Sequence, residues 1–283
     1  MIFNTKKSED SRNLRWLAKV LLFWCGYVAT TLLVGFVTSS AIKTEVWQLT
    51  AWGAISSLGL LGLTAIFVRF DLPSERITGP NSEASSARKF TLGLLLGALS
   101  FGVHTLIVST FAGPIRFELV PEIGATIVII YFLRFLATAW MEEIGFRGYA
   151  LQKLADRWGC WPAVVATSLV FGLSHLLYGW NIQTIMLGVF PAGLLWGMSA
   201  IATKGIAMPI GLHAAWNFAT WSAGGRSETG LLRLTVEHEA QGLMRTVGTV
   251  SYLTIFLSMT LVFWWFHRRN ILLASQRKTD RLH

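Results

Sequence analysis

The chain has 283 residues, of which 53% are hydrophobic and 14% charged, and it carries a net charge of +9. A typical soluble domain is roughly 25% charged, so this composition leaves too little polar surface for a soluble fold. The Lys and Arg sit between apolar runs and at the two ends, where cytoplasmic loops collect them. The charge therefore reads as topology with membrane lipid as a partner, and no nucleic acid is expected.

The apolar residues fall into runs of about 20, the length that crosses a hydrocarbon core of about 30 Å at about 1.5 Å per residue. Eight runs are expected as spans: 17–39, 47–68, 90–112, 123–147, 161–178, 184–203, 205–221 and 247–266. The fold class is all-α, a polytopic transmembrane helix bundle. The first run is too long for the apolar part of a cleavable signal and lacks a small-x-small exit, so it is expected to remain as a helix. The fourth continues as a helical pattern through Trp158.

Basic tails at 1–16 (Lys6, Lys7, Arg12, Arg15) and 267–283 (Arg268, Arg269, Arg277, Lys278, Arg281) place both termini in the cytoplasm. An even number of spans agrees with that. The 71–89 connection, rich in Ser, Pro, Gly and charge, reads as a flexible cytoplasmic loop, and 223–245, with Arg226 and Arg233, as an outer one. Cys25 and Cys160 lack metal-ligand spacing. Trp47, Trp161, Trp180 and Trp221 at span ends read as interfacial belts. With no repeat or second domain, one membrane-embedded domain is expected, its catalytic core at about 123–221.

Of the fifteen Asp and Glu residues, only the adjacent Glu142 and Glu143 continue an apolar helical run. Carboxylates at membrane depth cost about 2.5 to 3.5 kcal/mol each, so they are usually paired, cavity-facing and functional. Glu143 and Arg147 share a helix face and can pair, as an ion pair that permits insertion would. Glu142 is turned about 100° away and is free to face a cavity, where a general base could act on water. Arg134, eight residues earlier and about 80° round the helix, reads as a counter-ion or an interfacial side chain.

Two of the six histidines have helical companions inside apolar runs. Phe171 precedes His175 by one turn, and His213 shares a face with Asn217. Pro209, one turn before His213, can bend that helix open. The bland alternative is polar glue between helices. Taken together, one carboxylate, two imidazoles and an amide from three helices are what water-mediated acyl hydrolysis needs. Glu142 would deprotonate water, His175 would hold it or return a proton to the leaving amine, and His213 and Asn217 could donate to the developing oxyanion.

The elements Glu-Glu-x-x-x-Arg (Glu142, Glu143, Arg147), Phe-x-x-x-His (Phe171, His175) and His-x-x-x-Asn (His213, Asn217) resemble the motifs of the CPBP intramembrane proteases. That family includes CAAX prenyl endopeptidases and bacteriocin-processing or self-immunity proteins. The resemblance covers about residues 140–220. It implies that Glu142 and His175 activate water and that His213 and Asn217 stabilise the oxyanion. The family has been described both as metalloproteases and as metal-independent glutamate proteases. The substrate would be a peptide or protein, with or without an attached lipid, cut near a prenylated C-terminus or at a leader sequence.

Three other readings are open to these residues. Glu142, His175 and His213 could relay protons or bind a cation in a transporter, or belong to a non-catalytic immunity protein. They could also hold zinc with water as fourth ligand, although no carboxylate behind the histidines is evident apart from Glu143. Metal-independent catalysis is favoured. The zinc motif His-Glu-x-x-His is absent, and Asp10, Asp71, Asp156 and Asp280 lie outside the apolar runs, which disfavours an aspartyl site. One mismatch is expected: Glu142 near the end of its span and His175 about 21 Å into the next.

Overall fold

A computed structural model describes residues 3–71, 83–113, 115–225 and 230–279. Of the expected loops and tails, residues 72–82, Arg226 and Arg281 lie outside the described residues, as do the side chains of Lys6, Lys7, Arg12, Arg277 and Lys278. In lipid every backbone polar group must be satisfied internally, and the apolar runs accordingly form helices. These are α1 (Phe3–Ala41), α2 (Glu45–Arg69), α3 (Glu83–Ala112), α4 (Ala125–Arg147), α5 (Tyr149–Trp158), α6 (Cys160–Ser174), α7 (Ile182–Thr184), α8 (Phe190–Thr203), α9 (Ala207–Ser222) and α10 (Gln241–Thr279). A π-helical turn, Ile185–Val189, joins α7 to α8. The described parts of both basic tails extend the terminal helices. Strands β1 (Arg116–Leu119) and β2 (Leu232–Thr235) pair antiparallel, with Arg116 opposite Thr235.

Several hydroxyls within the spans bond to carbonyls of their own helices. Thr31 donates to the Tyr27 carbonyl at 3.0 Å, Ser57 to that of Gly53 at 2.8 Å and Ser168 to that of Val164 at 2.6 Å. Leu22, Phe36, Leu58, Leu95 and Val262 are exposed on the outer surface, as expected where lipid is the solvent.

Seven helical stretches are long and apolar enough to cross a membrane: Arg15–Ala41, Glu45–Arg69, Ser85–Ala112, Ala125–Trp158, Cys160–Tyr178, Ile182–Thr203 and Gln241–Ala274. The chain is thus an integral multi-pass membrane protein. The remaining expected span forms α9, but its 16 residues reach only about 24 Å. It is an interior helix, with Met208 through Ala215 all buried. Ile182–Thr203 lies at the centre, 72% of its apolar stretch being buried against 33% or less in the other six.

Helix α3 packs along α9, α2 along α4, and α8 against both α6 and α10. Glycine lets α3 and α9 touch backbone to backbone. A Cβ at Gly93 would collide with the Met208 carbonyl and one at Gly211 with the Phe90 carbonyl, while one at Gly97 would lie 2.7 Å from the Leu212 oxygen.

Gly148 separates α4 from α5, and a Cβ there would sit 2.6 Å from the Ile144 carbonyl oxygen. Helix α5 is fastened by Asp71, whose Oδ1 lies 2.9 Å from Lys19 Nζ and whose Oδ2 lies 2.7 Å from Lys153 Nζ. The Tyr149 hydroxyl donates to the same carboxylate at 3.3 Å. This buried clasp joins α1, the end of α2 and α5.

The interfacial reading of the tryptophans needs correcting at Trp221, which is wholly buried and stacked on Tyr131 with centroids 4.1 Å apart, closing a helix end that faces inward. Trp180 is exposed and packs one side on His175 at 5.0 Å. Trp47 is exposed, and Trp161 packs on Trp264.

Candidate active site

A cavity of about 410 Å³ opens among α2, α4, α6, the π-helical turn, α8, α9 and α10. Glu142, Phe171, His175, His213 and Asn217 all line it. Helix α4 turns its two glutamates in different directions. Glu142 reaches the cavity, whereas Glu143 and Arg147 are fully buried behind the wall, 3.4 Å apart. Arg147 also donates to the Gly193 carbonyl at 3.3 Å and lies over the Phe171 ring at 4.3 Å.

Glu143 does more than neutralise Arg147. Its Oε1 accepts from His213 Nδ1 at 3.0 Å, tying α4 to α9. The other nitrogen of that ring, Nε2, lies 3.6 Å from Glu142 Oε2. Nε2 is thus the ring nitrogen that faces the cavity beside Glu142. Trp196 of α8 lies flat against His213, centroids 3.7 Å and planes 13° apart, and fixes the imidazole plane.

His175 follows the last residue of α6 and opens a 3₁₀ turn, His175–Tyr178. Its Nδ1 sits 2.9 Å from the Phe171 carbonyl oxygen. A carbonyl only accepts, so Nδ1 carries hydrogen, and in the neutral ring the lone pair is on Nε2. Phe171 stands edge-on to both histidines, 4.9 Å from His175 and 6.5 Å from His213. Asn217, one turn beyond His213, is also buried at the wall.

The expected mismatch in depth is absent, since Glu142 and His175 line one cavity. The helical run extends past Gly148 over Ala125–Trp158, 34 residues, so Glu142 lies near its middle and not at its end. Several cavity residues escape sequence reasoning: Trp52, Tyr178, Trp196 and Tyr252. Each belongs to an apolar or aromatic pattern that a bundle core equally explains. Arg134, read from the sequence as a counter-ion or interfacial side chain, also lines the cavity.

Zinc would require Glu142, His175 and His213 to converge. Among the described residues no group of three or more His, Cys, Asp or Glu is placed to hold a metal ion. The carboxylate behind His213 is present as Glu143, but these donors do not form a ligand set.

Residues 124–219 match the family model for type II CAAX prenyl endopeptidase Rce1-like proteins. That segment contains Glu142, Glu143, Arg147, Phe171, His175, His213 and Asn217. No curated protein matches the chain.

Proposed function

We propose, from the premise that this chain carries a domain of the Rce1-like type II CAAX prenyl endopeptidase family, a family of proteases, that it hydrolyses a peptide bond inside its membrane-embedded cavity without a metal ion. The observation that carries the reading is the meeting of Glu142, His175, His213 and Asn217 in one cavity of about 410 Å³.

In this mechanism Glu142 accepts a proton from water as the water oxygen attacks the scissile carbonyl carbon. His175, with its lone pair on Nε2, accepts a hydrogen bond from that water, then takes onto Nε2 the proton that Glu142 has received and passes it to the amine nitrogen as the C–N bond breaks. His213 Nε2–H and the Asn217 amide donate to the carbonyl oxygen as negative charge develops, a role worth roughly 2.7 to 4 kcal/mol per donor in well-studied cases. Glu143 holds His213 in position and balances Arg147.

The substrate is a protein or peptide cut near a lipidated C-terminus, for which the apolar walls at Trp52, Phe135 and Trp216 supply suitable chemistry. Membrane lipid is the surrounding partner. Both termini lie in the cytoplasm, with α9 counted as an eighth crossing, a placement supported by the basic residues at each end.

The test is cleavage of a mixed library of prenylated and unprenylated peptides by purified, detergent-solubilised protein. Wild type should cleave, Glu142→Gln and His175→Ala should not, and prolonged chelation should leave the rate unchanged. Cleavage by folded Glu142→Gln at the wild-type rate would end the proposal. Activity restored to metal-free protein by zinc alone would overturn its metal-independent form.

A further inference from the structure

Lys204 caps α8 in the left-handed region, at φ 54°, and among the described residues it is the non-glycine residue with positive φ. Glycine takes that conformation most readily and is the usual residue at such a helix end. The Gly205 N–H bonds to the Ala200 carbonyl at 3.1 Å and the Lys204 N–H to that of Ile201 at 3.3 Å. These are main-chain bonds that glycine would make equally well, so the strain calls for a use of the exposed lysine side chain.

Its charge lies close enough to His267 of α10 for the two to interact. The next residue, Arg268, sets its guanidinium over the Trp264 ring at 5.4 Å, and Trp264 packs on Trp161 of α6 at 6.0 Å. Arg269 lies over Trp265 at 5.4 Å. Both arginines are exposed. The start of α6, the end of α8 and the last apolar turn of α10 thus gather Lys204, His267, Arg268 and Arg269, and none of these helices contains an Asp or Glu. Toward the membrane, Leu257, Leu261 and Trp265 stand exposed at intervals of four on one face of α10, the face that continues to Arg269.

We infer that this corner binds the headgroup of an anionic phospholipid, with an acyl chain lying along Leu257, Leu261 and Trp265. Tryptophan and basic side chains at span ends are the chemistry of the headgroup layer, and cations near that layer attract anionic lipid in particular. The aromatic rings hold the faces of the two guanidinium groups, whose edges of N–H donors match phosphate oxygens. The apolar stripe selects a lipid over a free phosphate, which would use the cations alone. None of these residues lines the cavity, and the inference does not rest on the hydrolytic reading. Lys204 stands eight residues after Trp196 and nine before His213, so a lipid bound there tethers the turn between the helices that carry them.

The test is lipid binding to purified protein in a neutral detergent. Phosphatidylglycerol or phosphatidylcholine of identical acyl chains is titrated in, bound lipid is counted by native mass spectrometry, and thermal unfolding is followed in parallel. Wild type should bind phosphatidylglycerol about tenfold more tightly than phosphatidylcholine and unfold at a higher temperature with it. Lys204→Gln and Arg268→Gln should each weaken phosphatidylglycerol about fivefold, the weight of one cation at an anionic surface, and leave phosphatidylcholine unchanged. Arg69→Gln, which removes an exposed cation at the end of α2, should leave both unchanged. Lys204→Gly separates binding from folding. It relieves the left-handed strain, so without lipid it should unfold at or above the wild-type temperature, yet it should lose most of the rise that phosphatidylglycerol gives.

Equal binding of the two lipids overturns the assignment. So do equal losses in Arg69→Gln and Arg268→Gln, because net charge would then account for the binding. Inorganic phosphate is the third arm: if it raises the unfolding temperature as phosphatidylglycerol does, the cations hold a soluble anion and the lipid assignment is wrong. A Lys204→Gly protein that keeps the full phosphatidylglycerol response removes Lys204 from the site, and the inference with it.

Discussion

The Trp196 indole lies flat on the His213 imidazole, centroids 3.7 Å apart, so the orientation of a proposed oxyanion donor is set by a neighbour on another helix. Trp196→Ala removes that plane, and a misplacement of about 1 Å can cost about 100-fold in rate. The expected outcome is a fall in kcat of about 10- to 100-fold, with Trp196→Phe retaining more. Steady-state kinetics on both variants, with thermal unfolding to confirm folding, decide it. An unchanged kcat in folded Trp196→Ala would show that His213 needs no such support.

Glu143 has two partners, His213 and Arg147, and its replacements should separate them. In Glu143→Ala the Arg147 charge is left buried and unpaired, a change that costs about 3 to 5 kcal/mol in comparable sites, so thermal unfolding should shift sharply down. Glu143→Gln keeps an amide oxygen that can accept from His213 Nδ1. It should stay closer to wild-type stability while kcat falls and KM holds. Glu143→Ala as stable as wild type would mean the ion pair contributes little, and equal stability of the two variants would mean the retained amide oxygen does.

The helical bundle and the membrane-embedded polar residues were legible because helix periodicity and the cost of charge in lipid act within single segments. Spacing along one helix could say that Glu143 reaches Arg147. It could not say that Glu143 also reaches His213, seventy residues away, because that contact depends on how α4 meets α9. The depth of Glu142 was misjudged for a related reason. Arg147 looks like the end of a span, yet it is buried against Gly193 and Phe171, and the run continues past Gly148. The small residues that bring α3 against α9 are unremarkable in sequence, since glycine is common in spans. The short α9 has the composition of a span, and its 16 residues and interior position are what set it apart from the other seven.

That crossing is sensitive to a single methyl group. Gly211→Ala would press a Cβ into the Phe90 carbonyl, and backbone on both sides leaves nothing flexible to yield. Overpacking of this kind typically costs about 1 to 3 kcal/mol. Because α9 carries His213 and Asn217, activity should fall with stability. Gly102→Ala, on the same α3 but with nothing within 4 Å of the added atom, is the matched control and should unfold at or above the wild-type temperature. Similar behaviour of the two variants would remove the argument from close approach.

The Asp71 clasp makes a separate claim. Asp71→Asn leaves Lys153 buried without its carboxylate, and removing one member of a buried pair costs about 3 to 5 kcal/mol. Lys19 is partly exposed, so Lys19→Met should cost far less. Thermal unfolding of both variants in detergent gives the comparison, and an Asp71→Asn protein as stable as wild type would assign the clasp no weight.

The cavity's walls come from three separate stretches of chain. The proposed catalytic groups lie within the matched segment 124–219, while Leu49, Trp52 and Tyr252 reach the same space from α2 and α10, outside it. Part of the wall that any occupant would touch is therefore written outside the stretch that holds the proposed catalytic groups. Exchanging residues at Leu49, Trp52 and Tyr252 should change what fits the cavity while leaving Glu142, His175, His213 and Asn217 in place.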